Sequence, residues 1–223
     1  MSIKDLAYRV LLPYDKMPFL RRLPPDFAVL DVGCGNNSPY AIKSVFPRCV
    51  YTGLDIGDYN QTTPNLADHY IVTTPEGFAG EIAKFRDCFD VVLSTHNLEH
   101  CNDPHAVVAC MAGAARVGGY VYLRFPSEIS VSLPSRGGTL NFYDDPTHAQ
   151  APPRYDEVVA GLVANGCDVV FGRRFYRPAF NLLRGWWNER RSRREDRILP
   201  GTWAYHRFET LILARKVRAG GER

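Results

Sequence analysis

A Rossmann-like, doubly wound α/β fold is what this sequence predicts: a mostly parallel seven-stranded sheet whose last strand is antiparallel. Three observations lead there. Strand-length apolar runs alternate with helix-length amphipathic stretches along the 223 residues. The runs at 27–32 and 89–94 are apolar nearly throughout, as in strands buried on both faces. The first run ends in "DVGCG", a glycine turn into a helix, and such turns border the ligand crevice of doubly wound sheets.

The elements follow in order. "YRVLLPYDKMPFLRRLPPDF" is amphipathic and interrupted by prolines, which suggests a short helix or lid within residues 1–26. "FAVLDV" (Phe27–Val32) is the first strand. Ser38 and Pro39 suit an N-cap and a first helical position, and Pro47 closes that helix. "CVYTGLDI" (Cys49–Ile56) is the second strand and "HYIVTT" (His69–Thr74) the third. A helix runs through "EGFAGEIAKF", and "FDVVLS" (Phe89–Ser94) is the fourth strand. Asp103-Pro104 caps the next helix, Gly118-Gly119 stops it, and "YVYLRF" (Tyr120–Phe125) is the fifth strand. Pro126 to Pro153 is too long for an ordinary connection and reads as a functional loop or lid. "RYDEVVAGLVANG" is a helix ending at Gly166. "CDVVFGRRFY" is the sixth strand, a basic helix with two tryptophans follows, and "RFETLILARKV" closes the chain as a strand.

Composition sets the limits. With 45% hydrophobic residues the chain fills one sizeable core, so a single domain over 1–223 is expected. Residues 27–126 are expected to form its ligand-binding half, and 127–223 to carry the long loop and the C-terminal half. A net charge of +3 does not mark a nucleic-acid binder. Six scattered cysteines without a CxxC pair read as reduced thiols, not as a disulfide frame or zinc site. No apolar run approaches about 18 residues and no signal-peptide core stands at the N-terminus, so a cytoplasmic protein is expected.

The first turn narrows the ligand. Gly33 and Gly35 let backbone approach a ligand without a Cβ between. A dinucleotide fingerprint needs glycine at 38, where Ser38 stands. Asp31, just before the turn, would repel a pyrophosphate and suits a cationic amine. Asp55, at the second strand's end, can accept from both ribose hydroxyls. An amine, a ribose and no phosphate fit both acids, and S-adenosylmethionine has all three properties.

"VLDVGCG", "GLDI", "FDVVLSTHNLEH" and "RVGGYVYLRFP" stand in the order and spacing of class I S-adenosylmethionine-dependent methyltransferases, and the chain resembles their type-11-like group over about residues 27–126. The resemblance implies that the turn Asp31, Gly33, Cys34, Gly35 wraps the methionine part. It implies Asp55 on the ribose, Ile56 on the adenine, and Thr95 and His96 beside the sulfonium. Asn37 replaces a frequent glycine and tolerates a left-handed backbone. The acid usual after the third strand is absent, with Thr73, Thr74 and Glu76 as local substitutes.

The acceptor is sought in "NFYDDPTHAQ" (Asn141–Gln150). Methyl transfer to an alcohol needs a base. His148, oriented by Asp144 or Asp145, is one candidate and His96 its competitor. Asn141, Phe142 and Tyr143 are expected on the acceptor, the rings packing on a sugar face or flat ring. The same segment also reads as a self-contained turn from Asp145-Pro146 to Thr147, or as a divalent-cation site at Asp144–Asp145, although no further ligand spacing supports a metal. Glu99–His100 reads as a structural pair, with direct catalysis by His100 as the less favoured alternative. In "AFNLLRGWWNERRSRREDR" the arginine run suits an anionic membrane or acceptor, while the commoner case is a solvated helix anchored to the core by its aromatics. The reading is methyl transfer to a hydroxylated acceptor, which similar sequences suggest is a sugar of a bacterial surface polysaccharide. Small-molecule O- or N-methylation is the alternative. A nicotinamide-dependent oxidoreductase is disfavoured by Ser38 and Asp31, and a non-catalytic scaffold by the intact motifs.

Overall fold

The computed structural model describes residues 12, 14–35, 37–57, 65–148 and 150–218. Its strands are β1 (Ala28–Val32), β2 (Val50–Asp55), β3 (His69–Val72), β4 (Phe89–Thr95), β5 (Ala115–Pro126), β6 (Cys167–Arg173) and β7 (Glu209–Lys216). They form one sheet in the order β3-β2-β1-β4-β5-β7-β6. β1 to β5 pair in parallel, and β7 runs antiparallel between β5 and β6. The order reverses at β1/β4, so the crevice beyond the carboxyl ends of those strands is the ligand position of the architecture. Val29, Leu30 and Val32 are buried beside Asp31, which explains the unbroken apolar run: both faces of β1 are covered.

Helices cover the two faces: α1 (Lys16–Leu20), α2 (Ser38–Val45), α3 (Phe78–Ile82), α4 (Pro104–Ala114), α5 (Tyr155–Ala164), α6 (Ala179–Arg194) and α7 (Thr202–His206). Asp103 caps α4 by accepting from the Ala106 N–H at 2.9 Å. That helix stops at Ala114, not at the glycine pair, because Ala115 is already extended and pairs with Phe89. A tertiary strand partner outweighs helical spacing there.

Of the two readings of the N-terminal segment, short helix or lid, the described residues give the helix. Residues 1–11 and 13 lie outside the described residues. The described α1 buries Phe19 and Leu20 against the sheet, and the Phe19 ring stacks 5.8 Å from Tyr122. Each such side chain contributes about 1.5–3 kcal/mol of burial. α1 is therefore a core element, and it lines no part of the cavity described next.

Candidate active site

A cavity of about 560 Å³ opens at the crevice, within the range of small-ligand sites. The glycine turn makes one wall. Gly33 has φ of 70°, and a Cβ there would overlap the Asn97 side chain. Gly35 has φ of 53°, and its N–H donates to Asp55 Oδ2 at 2.6 Å. Asp55 Oδ1 accepts from the Ile56 N–H at 2.7 Å. Gly33, Gly35, Asp55 and Ile56 all line the cavity, joined by Pro75, Glu76 and Phe78 from the connection after β3. Asn102 Nδ2 donates to Glu76 at 3.1 Å, so an acid does stand at this wall. Asn37 has φ of 58°, the left-handed conformation that asparagine tolerates.

Three of the expected cofactor contacts fall elsewhere. Asp31 is buried beneath the turn, where Oδ2 accepts from Ser38 Oγ at 2.7 Å and from the Tyr51 hydroxyl at 2.8 Å. It holds the start of α2 to β2 and does not line the cavity. Cys34 faces the core, and burial pushes its thiol up to about 12. Thr95 ends β4 outside the lining, and its hydroxyl has no hydrogen-bond partner among the described residues.

His96 does line the cavity, in a left-handed backbone (φ 52°) fixed by its N–H to Arg124 O at 2.8 Å. Its ring bridges two carboxylates, Nδ1 to Glu99 Oε1 at 3.3 Å and Nε2 to Glu209 Oε1 at 3.0 Å. Burial opposes the charge, but these hydrogen bonds and the two negative charges outweigh it and raise the imidazole to about 9. An imidazolium that donates from both nitrogens cannot accept a proton. The candidate base His96 is thus a charged clamp. Glu209 also binds Arg124, at 2.7 Å through Nε and 2.5 Å through Nη2. The His96 ring lies 5.0 Å from Trp203, which with Arg124, Arg184 and Glu209 lines a second cavity of about 310 Å³.

The long loop after β5 is ordered by its own residues. Asn141 and Asp144 form a capping box around a 3₁₀ turn, and Asp144 accepts from Ser135 Oγ and from the N–H groups of Arg136, Leu140 and Asn141. Phe142 is fully buried. Asn141 Nδ2 donates to Leu133 O at 2.5 Å. Tyr143 is exposed and lines neither of the two cavities. The expected acceptor contacts Asn141 and Phe142 are structural, and Asp144 orients no histidine. His148 is a further correction. It is buried, stacked 4.3 Å from the Phe142 ring, bonded through Nδ1 to Phe142 O at 2.5 Å, and absent from the cavity wall.

What reaches the cavity instead is His100, with Asp145 and Thr147. Thr147 Oγ1 donates to Asp145 Oδ1 at 2.6 Å and meets His100 Nδ1 at 2.9 Å. Although burial opposes it, hydrogen bonds from Thr147 and the nearby histidines keep Asp145 below the usual carboxylate range, so it is ionised and only accepts. The Thr147 proton therefore points to Asp145. Thr147 must accept from His100 Nδ1–H, and Nε2 keeps the lone pair. Burial lowers the His100 pKa below 6.5, so the ring is neutral at pH 7. The sequence favours a structural pairing of His100 with Glu99 over a catalytic role; the link to Asp145 through Thr147, 47 positions away, has no local signal. Among the described residues Glu99, His100 and His148 also bring ligand-type atoms within 4.8 Å of one another, whereas Asp144 and Asp145 do not converge on a cation position.

The turn, the carboxylate beside it and the cavity volume fit S-adenosylmethionine. Residues 30–123 match a family model described as Methyltransferase domain. A ubiquinone biosynthesis O-methyltransferase of Saccharophagus degradans is 33% identical over 102 residues, which are 42% of this chain and 41% of that protein. The chain thus spans about two fifths of the curated relatives it matches. An S-adenosylmethionine-dependent methyltransferase from Mesorhizobium loti superposes with a TM-score of 0.59 at 16% identity, covering 89% of this chain and 96% of that one. Geranyl diphosphate C-methyltransferase from Streptomyces coelicolor, solved with S-adenosylhomocysteine, gives 0.62 at 14% identity, covering 96% and 80%. The sheet order, the motifs in register and the matched segment agree: the chain has the class I S-adenosylmethionine-dependent methyltransferase fold and carries, over residues 30–123, a methyltransferase domain whose cofactor is S-adenosylmethionine.

Proposed function

We propose that the protein methylates a hydroxyl of a small molecule, with His100 as general base. The observation that carries this reading is the Asp145–Thr147–His100 relay on the wall of the first cavity. When bound, the cofactor supplies an electrophilic methyl on a sulfonium leaving group. The Gly33–Gly35 turn, Asp55 and Ile56 would hold its two ends. As the oxygen–carbon bond forms, the acceptor's hydroxyl proton passes to His100 Nε2. Nδ1–H stays on Thr147, and ionised Asp145 fixes the tautomer. His96 does not compete, because it already carries its proton.

A free amine would need no such base, so the relay favours oxygen over nitrogen. Support also comes from the relatives that share the matched segment, which are named O-methyltransferases. A polysaccharide acceptor lacks such support, since Phe142, the ring a sugar would stack on, belongs to the core.

The test is labelled methyl transfer to a panel of phenols, alcohols and amines. His100→Ala should lose about 10²–10⁴-fold in rate at unchanged S-adenosylhomocysteine affinity. The wild-type rate should be flat above pH 6.5 and fall only below it, as the base protonates. Collapse of His148→Ala with His100→Ala intact would return the role to His148. Transfer to amines alone would turn the reading to N-methylation.

A further inference from the structure

Helix α6 is amphipathic in the wrong sense for a helix packed on a protein core. Its buried residues are Gly185, Glu189 and Ser192. Glu189 binds the buried Arg136 through two hydrogen bonds of 3.1 Å and His206 at 3.0 Å. Gly185 packs so closely on α7 that a Cβ would overlap Gly201 O. The large apolar side chains point the other way: Leu183 is 67% exposed, Trp186 65% and Trp187 80%, with Phe180 beside them. The core anchor expected of the tryptophans is absent, because the inward face is already filled by a polar clamp and a close backbone contact.

The outward face has a second component. At about 100° per residue, Leu183, Trp187, Arg190 and Arg194 share one narrow stripe. Arg184, Arg190 and Arg194 make no ion pair among the described residues. The nearby acid Glu195 is already held by Arg191 and Arg197. The surface thus joins an exposed tryptophan–leucine patch to unpaired guanidinium groups. Soluble proteins seldom leave such a patch open without a use.

We propose that α6 docks the protein on an anionic lipid bilayer, lying in the interface with Leu183, Trp186 and Trp187 at headgroup depth and the arginines on lipid phosphates. The chemistry matches both layers of that surface: tryptophan favours the water–lipid boundary, and arginine clusters bind anionic leaflets. A second copy of this chain meeting face to face is the poorer occupant, since the same helix brings the same arginines while its acids Glu189 and Glu195 are already held by Arg136, His206, Arg191 and Arg197. Asn181 and Arg184 of this helix also line the second cavity, so docking sets that cavity at the lipid surface.

The experiment is co-sedimentation of the full chain with phosphatidylcholine vesicles, with and without phosphatidylglycerol, beside tryptophan fluorescence. The protein should pellet with mixed vesicles only, with a blue shift, because two of its three tryptophans lie on the docking face. Arg190→Gln and Arg194→Gln should each weaken binding by about fivefold, the worth of one basic residue near an anionic surface. Leu183→Ser with Trp187→Ser should abolish the blue shift without changing thermal unfolding, since both sites are exposed. Absence of binding to mixed vesicles, or binding that these substitutions leave unmoved, overturns the proposal. So does a dimer, seen by sedimentation velocity, that Trp187→Ser dissociates in a protein that ignores vesicles.

Discussion

The two walls around His96 are built in different ways. The cofactor wall is assembled over short distances along the chain: Gly35 and Asp55 are 20 residues apart, and Asp31 and Ser38 seven. The opposite wall is assembled from far ends: Arg124 meets Glu209 across 85 positions, and His96 meets Glu209 across 113. The first uses neutral backbone and acceptor carboxylates. The second concentrates opposite charges in a buried place. A wall of local contacts can be altered one contact at a time. A wall of coupled charges loses the rest when one is removed.

Glu209 gives the largest test of that contrast. Glu209→Ala leaves Arg124 and His96 without their shared carboxylate, and removing one partner of a buried pair typically costs about 3–5 kcal/mol. Urea unfolding should show a loss of that order. The pH dependence has a definite sign. Despite burial, Arg124 and His96 hold Glu209 down to about 2, below its ordinary value of 4.5, so its contribution is present above pH 4.5 and is lost as pH falls toward 2. His96 is raised from 6.5 to about 9, so its contribution is complete below pH 6.5 and disappears as pH rises through 9. Stability of the wild type should therefore slope down on both sides of the interval 4.5 to 6.5. In Glu209→Ala both slopes should flatten. Unaltered slopes would show that the network is not coupled.

Asp55 tests the other wall, with a smaller effect and a different readout. Its carboxylate faces the cavity while taking the Gly35 and Ile56 N–H groups. Asp55→Ala should weaken S-adenosylmethionine binding by about 1.5–3 kcal/mol, the worth of hydrogen bonds to a charged group. Calorimetry measures the affinity, and the melting temperature reports how far the turn itself is loosened. Equal affinity in a folded variant would remove Asp55 from the cofactor.

The contrast also explains what could be read in advance. The seven strands and the cavity residues Gly33, Gly35, Asp55 and Ile56 were legible because strand runs and strand-end turns are local patterns. The spacing Asp-Asp-Pro-Thr-His points to His148 as base, and it does describe a real turn, with Thr147 N–H on Asp145 at 2.9 Å. The turn aims Thr147 rather than His148 at the cavity, and the histidine it serves is His100. The protonation of His96 was equally hidden. A histidine in "STHNLEH" shows nothing of Glu209, which arrives with the last strand and decides its charge. The sequence leaves the tryptophans of α6 between a core anchor and an anionic surface, and the polar inner face that turns them outward depends on Arg136 from the distant loop.

Trp187 carries the smallest expected effect and sharpens the contrast from outside. Its side chain lies outside the lining of both cavities and outside both charge clusters, and it is 80% exposed. Exposed substitutions away from caps, cores and clusters usually change stability by less than about 0.5 kcal/mol. Trp187→Ala should therefore leave unfolding and cofactor affinity as they are, on the same instruments that register Glu209→Ala and Asp55→Ala. The helix beneath it is held by the Glu189–Arg136 pair and by α7, and neither contact involves the tryptophan. Should Trp187→Ala lower cofactor affinity in a protein that stays folded, α6 would have to reach the first cavity, and the two walls could no longer be treated as the whole of the site.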